Sequence, residues 1–290
     1  MALRSIIDVA APAKLNLFLH VVGRRTDGYH LLQSVMVLID WADVLHVERR
    51  DDGRLARHDL GPALPADDLC LRAARALRAA SGTSLGADIS IEKRVPWGAG
   101  MGGGSSDAAS TLLALNRLWG LGWPLEKLLP LGLALGADVP FFLRGRNAAV
   151  EGIGERITPI EAAPRTFAVV KPADGIETRA VFTSPLVGRS QEAAIVEGFT
   201  ARQFDDSGRE YGRNDLQRAA EALSSDVAAV SSWLEERYGN SRMTGSGSAV
   251  FARTSLESTG LPDELPAGWT GRICRSLAAH PLLGWADEPA

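Results

Sequence analysis

The sequence has few cysteines and no long apolar run. Cys70 and Cys274 are far apart and neither lies in a Cys-x-x-Cys pair, which disfavours a disulfide framework and a thiolate zinc site. The five histidines show no metal-ligand spacing. The most apolar stretch, residues 128–142, is interrupted by two prolines and an aspartate, and a membrane span needs roughly 20 apolar residues. Residues 1–11 lack the apolar core of a signal peptide, so we expect a cytoplasmic protein.

Excess positive charge is also missing. The chain has 31 Lys and Arg against 35 Asp and Glu, a formal net charge of −4. A surface that binds nucleic acid usually needs a basic excess. We therefore expect no nucleic-acid partner and, without a candidate span, no membrane; a small basic pocket for a phosphorylated metabolite is compatible with this charge. The composition, with 46% apolar and 23% charged residues, is typical of a globular protein, and the length of 290 residues favours two domains, with one large domain as the alternative.

Residue patterns predict an α+β chain. Apolar and polar residues alternate over residues 14–20, which predicts a strand with Lys14 and Asn16 on the face opposite three leucines. The pattern restarts after Ala163, which favours two domains, residues 1–163 and 164–290, and residues 185–209 are expected to be a long connection. Further strands are predicted at 31–39, 44–48, 88–93, 166–171, 249–253 and 271–275, and helices at 69–80, 106–119, 125–135, 214–223 and 226–238.

A glycine-rich loop at residues 96–106 is the strongest local feature, with five glycines within seven residues. Glycine permits positive φ angles and a close approach of the backbone to a ligand. The loop leads into a predicted helix whose first N–H groups lie at the positive end of its dipole. These properties predict a phosphate site, with Ser105 and Ser106 as helix caps or ligands. A tight strand-to-helix turn is the simpler alternative.

The type of phosphate ligand follows from what the loop lacks. Gly98–Gly103 formally matches the dinucleotide pattern, but the preceding strand alternates and no acidic residue closes a second strand about 20 residues later. No Gly-Lys-Ser/Thr is present, which excludes a Walker loop. A nucleoside triphosphate held without a Walker lysine fits better. A nicotinamide oxidoreductase is the alternative, which a titration with NAD would test.

Three weaker features add to this loop. Lys14 and Asn16 are expected to face a cleft if the leucines opposite them are in the core. Asp138 follows a helix that Gly136 should end, and it precedes Val139-Pro140, where the chain is expected to be extended; its carboxylate is either a loop cap or functional. Residues 243–248 form a second glycine cluster, which a hairpin turn explains equally well. Together they predict a cleft between two glycine loops.

These segments carry a resemblance to a known family. Residues 12–18 and 25–30 resemble the opening of the 4-diphosphocytidyl-2-C-methyl-D-erythritol kinases, which belong to the GHMP kinase superfamily. Residues 96–106 resemble the superfamily's ATP-binding loop, residues 135–140 its catalytic-aspartate segment and residues 243–251 its third motif. One element departs from the family, because its Phe-x-Asn-Asp reads Gly212-Arg-Asn-Asp here.

The resemblance implies a two-domain GHMP-kinase fold, with an N-terminal α/β domain like one in ribosomal proteins and a ferredoxin-like C-terminal domain. It implies transfer of the γ-phosphoryl group of ATP to the 2-hydroxyl of 4-diphosphocytidyl-2-C-methyl-D-erythritol, giving the 2-phosphate and ADP, in the non-mevalonate (MEP) route to isoprenoid precursors. ATP is then the co-substrate, Mg²⁺ the cofactor, and the chain a monomer or weak homodimer. A homoserine kinase and a non-catalytic regulator on the same fold are the rival interpretations.

The resemblance also assigns site residues. It implies that Lys14 and Asp138 are the catalytic pair. Residues that bind the acceptor are implied to be Asn16, Tyr29, His30, Phe182, Gly245 and Gly247. Residues that bind ATP are implied to be Pro96, Trp97, Gly98, Ala99, Gly100, Met101, Gly102, Gly103, Gly104, Ser105 and Ser106, with Ser106 also a candidate contact to the metal of Mg-ATP.

Overall fold

The computed structural model describes residues 3–188 and 212–286. Its strands are β1 (Ser5–Arg24), β2 (His30–Arg50), β3 (Leu55–Asp59), β4 (Gly86–Glu92), β5 (Ala148–Gly152), β6 (Arg156–Pro159), β7 (Thr166–Lys171), β8 (Arg242–Met243), β9 (Val250–Thr254) and β10 (Thr270–Arg275). Its helices are α1 (Leu69–Ser81), α2 (Gly103–Leu118), α3 (Leu125–Leu135), α4 (Val139–Arg144), α5 (Thr178–Thr183), α6 (Gln217–Leu223) and α7 (Ser225–Tyr238). The predicted α+β class is confirmed.

The first sheet is built around one long strand. β2 pairs with β1 along one edge, and along the other it pairs with β5 through residues 32–36 and with β4 through residues 44–50. β3 adds to β4 in parallel and β6 to β5 antiparallel. The separate strands predicted at 31–39 and 44–48 are wrong, because Ala42 and Asp43 pair with β1 and Trp41 is buried. The polar residues between the two apolar runs caused the error.

A second, antiparallel sheet follows in the order β10-β7-β9-β8. All six residues of β7 are buried, and α7 packs against β9. Phe167 and Phe251 of this sheet share one hydrophobic cluster with Leu15 and Phe18 of β1, so the second sheet packs against the first sheet at β1. The last described residues return to the first sheet, where Leu282 joins its core.

The start of α2 differs from the prediction. The helix begins at Gly103, three residues early, and its N-cap is Gly102 with φ +71° and no capping side chain. Because the left-handed Gly102 turns the chain directly into the helix, Ser105 and Ser106 lie inside the first turn, and the N–H of Ser106 donates to the Gly102 carbonyl. The expectation that these serines cap the helix is therefore wrong.

The chain around Asp138 also differs. Asp138 has helical backbone angles, φ −84° and ψ −15°, and it stands at the start of α4, where its carboxylate makes no capping bond. The extended conformation expected before Pro140 is wrong, since Pro140 occupies the first helical turn, in which a missing N–H costs nothing. The carboxylate of Asp138 is not used by its own helix.

Several local predictions were closer. α1 matches the helix predicted at 69–80, and it is capped by Asp68, which accepts from the Leu71 N–H, and by Gly82 in the left-handed region. α3 continues past Pro130 without ending there. α5 was not predicted, and most of the connection expected at 185–209 lies outside the described residues. Among the helices of the described residues, none has the length and hydropathy needed to cross a membrane.

Candidate active site

A buried lysine and a carboxylate meet at the centre of the site. β1 carries Lys14, which is 3% exposed, and its ammonium group lies 3.7 Å from Oδ2 of Asp138 at the start of α4. The same ammonium donates to the carbonyl of Gly100 at 2.8 Å and to Oδ1 of Asn16. The two residues that the resemblance assigned as a catalytic pair are thus adjacent.

The charge of Lys14 depends on its neighbours. Burial lowers the pKa of Lys14, whereas the charge of Asp138 and its hydrogen bond oppose that shift. An ammonium group away from water is destabilised, and a nearby carboxylate restores the charged form. Both side chains border the larger cavity, and Asp138, about one-third exposed, is the more accessible of the two.

Asn16 links this pair to the second sheet. Its amide Nδ2 donates to the Ser34 hydroxyl at 2.8 Å, and its backbone N–H donates to Thr244 Oγ1 at 2.9 Å. With Nδ2 donating to Ser34, Oδ1 is left as the acceptor for Lys14. Residues two apart on a strand share a face, which explains why Lys14 and Asn16 meet here as the sequence predicted.

The two glycine loops pack directly on each other. A Cβ on Gly100, which has φ +70°, would overlap the Thr244 carbonyl, and one on Gly245, with φ +55°, would lie 2.6 Å from the Gly100 carbonyl. The N–H groups of Ser248 and Ala249 donate to the carbonyls of residues 98 and 99. The predicted loops therefore touch instead of facing each other across open space. Glycine is required on both sides of the contact.

Two cavities open beside this contact. The larger cavity, of about 840 Å³, is bounded by Lys14, Asp138, the first turn after β1, and α5. The smaller cavity, of about 440 Å³, follows the loop from Pro96 to Ser105. Gly100, Gly102 and Ser105 line both. A ligand in one cavity can thus meet a ligand in the other next to the Lys14–Asp138 pair.

The far end of the larger cavity is aromatic. His30 at the start of β2 and Phe182 of α5 have ring centroids 5.5 Å apart with planes tilted by 35°. Tyr29 is 63% exposed beside them. The hydroxyls of Thr178 and Ser246 lie 2.9 Å apart and fasten α5 to the second glycine loop. Planar apolar rings with polar edges are suited to a nucleobase.

A buried ionic cluster borders the smaller cavity, and the sequence analysis did not predict it. The ammonium of Lys93 lies 2.6 Å from Oδ2 of Asp107 and also contacts Oδ2 of Asp43. Burial acts to lower the pKa of Lys93, but Asp107 and Asp43 together raise it. Oδ1 of Asp43 also accepts the N–H groups of residues 94 and 95, so this cluster fixes the chain that enters the glycine loop. Asp43 lies inside an otherwise apolar strand, and this position was the signal from which the sequence could have predicted a buried ion pair.

Some of the site residues implied by the resemblance do not present their side chains to a cavity. Ala99 and Met101 border the smaller cavity, but their side chains are 2% and 1% exposed and belong to the core. Ser106 and Gly247 line neither cavity, and the Ser106 hydroxyl is buried without a partner. The buried side chains of the loop thus anchor it in the core, and its glycines leave the backbone accessible to a ligand.

Comparison with known proteins identifies the family. The family described as GHMP kinases N terminal domain matches residues 68–146. The 4-diphosphocytidyl-2-C-methyl-D-erythritol kinase of Methylibium petroleiphilum is 62% identical over 99% of this chain and 100% of its own length. The chain belongs to the 4-diphosphocytidyl-2-C-methyl-D-erythritol kinase family.

Solved structures agree with this membership. A crystal structure of a 4-(cytidine 5'-diphospho)-2C-methyl-D-erythritol kinase is 33% identical, with a TM-score of 0.73 over 91% of this chain and 98% of the other. A homoserine kinase from Cytophaga hutchinsonii has a TM-score of 0.68 at 18% identity, a likeness of fold alone. The GHMP-kinase fold predicted for this member of the 4-diphosphocytidyl-2-C-methyl-D-erythritol kinase family is confirmed.

Proposed function

We propose that this chain uses ATP to phosphorylate the 2-hydroxyl of 4-diphosphocytidyl-2-C-methyl-D-erythritol, giving the 2-phosphate and ADP. One observation carries the proposal beyond family membership. The Lys14–Asp138 pair stands at the junction of two cavities, one lined by a glycine-rich loop and the other ending in aromatic side chains. Such a junction suits transfer of a group between a nucleotide and a nucleotide-linked acceptor.

The larger cavity takes the acceptor in this proposal. The cytosine lies at its aromatic end, where Tyr29 and Phe182 offer faces for stacking and His30 a hydrogen bond. The methylerythritol lies at the other end, beside Asn16 and Asp138. Gly245 borders the path between them. Binding of the base at one end and of the hydroxyl at the other fixes the position of the acceptor in the cavity. Such positioning accounts for most of the rate enhancement in phosphoryl transfer.

The reaction itself needs a proton acceptor and a cation. The 2-hydroxyl is tertiary and therefore a crowded, poor nucleophile. Asp138 accepts the proton of this hydroxyl or orients the hydroxyl oxygen toward the phosphorus. The Asp138 carboxylate is available for this role because it makes no capping bond in α4 and is accessible from the cavity. Lys14 stabilises the developing alkoxide. Because Lys14 also holds the Gly100 carbonyl, the same cation fixes the acceptor side relative to the nucleotide loop.

The smaller cavity takes ATP, with residues Pro96–Ser106 around its phosphates. The N–H groups at the start of α2 and the helix dipole attract the anion. Buried oxygens without a partner lie in this turn, Oγ of Ser106 and Oδ1 of Asp107, and Mg²⁺ prefers such oxygen ligands. Asp107 borders the smaller cavity and would hold the ion; Ser106 lines neither cavity, so its hydroxyl would contact the ion only after turning toward the phosphates. Mg²⁺ would neutralise phosphate charge there.

Three further points belong to the same proposal. The chain divides near residue 163 into an N-terminal domain, 1–163, and a C-terminal domain, 164–290. It acts in the cytoplasm as a monomer or weak homodimer on small-molecule substrates.

Among the described residues no group of three or more His, Cys, Asp or Glu is arranged to hold a metal, which is consistent with a metal that arrives with ATP.

An ADP-coupled assay tests the proposed activity. The purified chain is given ATP and Mg²⁺ with 4-diphosphocytidyl-2-C-methyl-D-erythritol, homoserine or mevalonate, and phosphorus NMR locates the new phosphate. We expect ADP release only with the cytidylated acceptor and a phosphate ester at its 2-hydroxyl. ADP release with homoserine, or without consumption of any acceptor, would contradict the proposal.

A further inference from the structure

Two arginines line the larger cavity without a carboxylate partner among the residues that the structure describes. Arg24 and Arg179 are both exposed and both border the cavity, and neither forms an ion pair within residues 3–188 and 212–286. Arg25, which follows Arg24 in the chain, does form an ion pair, since its guanidinium is 2.8 Å from the Asp27 carboxylate. Arginine side chains carry a positive charge in proteins, so the cavity has two positive charges that this part of the chain does not balance.

The turn after β1 fixes the position of Arg24. Its Nε donates to the Gly28 carbonyl at 3.0 Å, and a Cβ placed on Gly28 would lie 3.6 Å from Nη2 of Arg24. The guanidinium therefore lies over Gly28, which has φ +92°, next to Tyr29. With Nε engaged, both Nη groups remain available to a ligand.

The short helix α5 positions Arg179 at the same end of the cavity. Arg179 precedes Phe182 by three residues, and residues three apart share one face of a helix. Phe182 contacts His30, while Thr178 reaches Ser246. Arg179 therefore belongs to a helix that is anchored at one end to the aromatic wall and at the other to the second glycine loop.

The charges around the larger cavity point to a doubly negative ligand. Its lining includes three cations, Lys14, Arg24 and Arg179, and two carboxylates, Asp27 and Asp138. Both carboxylates already face a cation, Arg25 and Lys14 respectively. The two remaining charges belong to the arginines, in a chain whose net charge is −4.

We propose that Arg24 and Arg179 hold the diphosphate that joins the cytidine of the acceptor to its methylerythritol. This inference rests on the proposed function, because it takes the acceptor to be a cytidine diphosphate ester. Each phosphate of that bridge carries one negative charge, and a guanidinium binds phosphate oxygens through paired hydrogen bonds. The arginines touch neither the transferred phosphoryl group nor the reacting hydroxyl, so they bind substrate and leave the chemical step unchanged.

Kinetics of Arg24→Gln, Arg179→Gln and the double variant test the assignment. We expect KM for the acceptor to rise about tenfold for each substitution, while kcat and KM for ATP stay within about twofold of the wild type. The acceptor KM of the double variant should also depend less on ionic strength, since two charge pairs are gone. Arg72→Gln is the matched control, because Arg72 is exposed on α1 and lines neither cavity.

Inhibition by CDP and by cytidine separates phosphate binding from local damage. The inhibition constant of CDP should rise in the variants, whereas that of cytidine should stay the same. An acceptor KM that is unchanged in the double variant overturns the assignment, and so does an equal weakening of CDP and cytidine. Failure of the wild type to use the acceptor would contradict the proposed function instead; direct binding of CDP and cytidine by calorimetry would still decide whether the arginines hold a diphosphate.

Discussion

The ammonium group of Lys14 lies 3.7 Å from the Asp138 carboxylate while it donates a hydrogen bond to the Gly100 carbonyl. One buried cation thus contacts the proposed proton acceptor and the nucleotide loop at once. The relationship ties the position of the acceptor hydroxyl to that of the terminal phosphate. Both parts of the proposed reaction depend on the geometry of this one side chain.

Replacement of Asp138 should remove proton acceptance and leave nucleotide binding intact. For Asp138→Ala and Asp138→Asn we expect turnover to fall by roughly 10²–10⁴-fold with an unchanged dissociation constant for ATP, because Asp138 does not line the smaller cavity. Steady-state kinetics and calorimetry measure the two quantities. Glu126→Gln, on the exposed side of α3, is the control. Near-normal turnover in either variant would remove Asp138 from the mechanism.

The pH dependence of turnover should report Lys14. Burial lowers its pKa below the usual 10.5, and only the protonated form stabilises an alkoxide. Turnover should therefore decline as pH rises through that lowered pKa. Lys14→Arg keeps a cation at every accessible pH, so its reduced turnover should lack this alkaline decline. The measurement is kcat from about pH 6 to 10; the same decline in both proteins would assign it to another group.

The contact between the glycine loops should be sensitive to one methyl group. Gly100→Ala places a Cβ against the Thr244 carbonyl at a positive φ, and we expect the free energy of unfolding to fall by about 2–4 kcal/mol. Gly104→Ala is the matched control, since Gly104 is helical and its added Cβ would only touch Leu69 at 3.4 Å. Urea denaturation of both variants tests the contact. Equal stability of Gly100→Ala and the wild type would contradict it.

His280 should make the protein less stable in acid. Burial lowers the pKa of His280 from 6.5 to about 4. Between these values the unfolded chain binds a proton that the folded chain does not, so the free energy of unfolding falls as pH decreases, by about 3 kcal/mol in total. The Leu282 N–H donates to Nδ1 of His280. His280→Asn keeps a hydrogen-bond acceptor at this position and should reduce the loss of stability in acid. Urea denaturation at several pH values measures the free energy of unfolding of both proteins. If this free energy changes with pH equally in His280→Asn and the wild type, the assignment to His280 is contradicted.

Lys14 and Asp138 entered one hypothesis because the motifs around them resemble those of a known kinase family, although the backbone expected at Asp138 was wrong. Where no motif carried such a resemblance, contacts between residues distant in the chain were not predicted. Asp43 interrupted an apolar pattern and split β2, although its role is to bind Lys93. The arginine pair was missed because a surface arginine has no periodic signature, and only the packing of α5 beside the β1–β2 turn reveals a shared cavity.

A double-mutant cycle on Lys14 and Asp138 tests the central claim most directly. The single-turnover rate of phosphoryl transfer to the cytidylated acceptor is measured for the wild type, Lys14→Ala, Asp138→Ala and the double variant. Groups that act as one unit lose their contribution once, so the double variant should be about as slow as the slower single variant. Rate losses that multiply would show that the two side chains act independently, and would contradict the account.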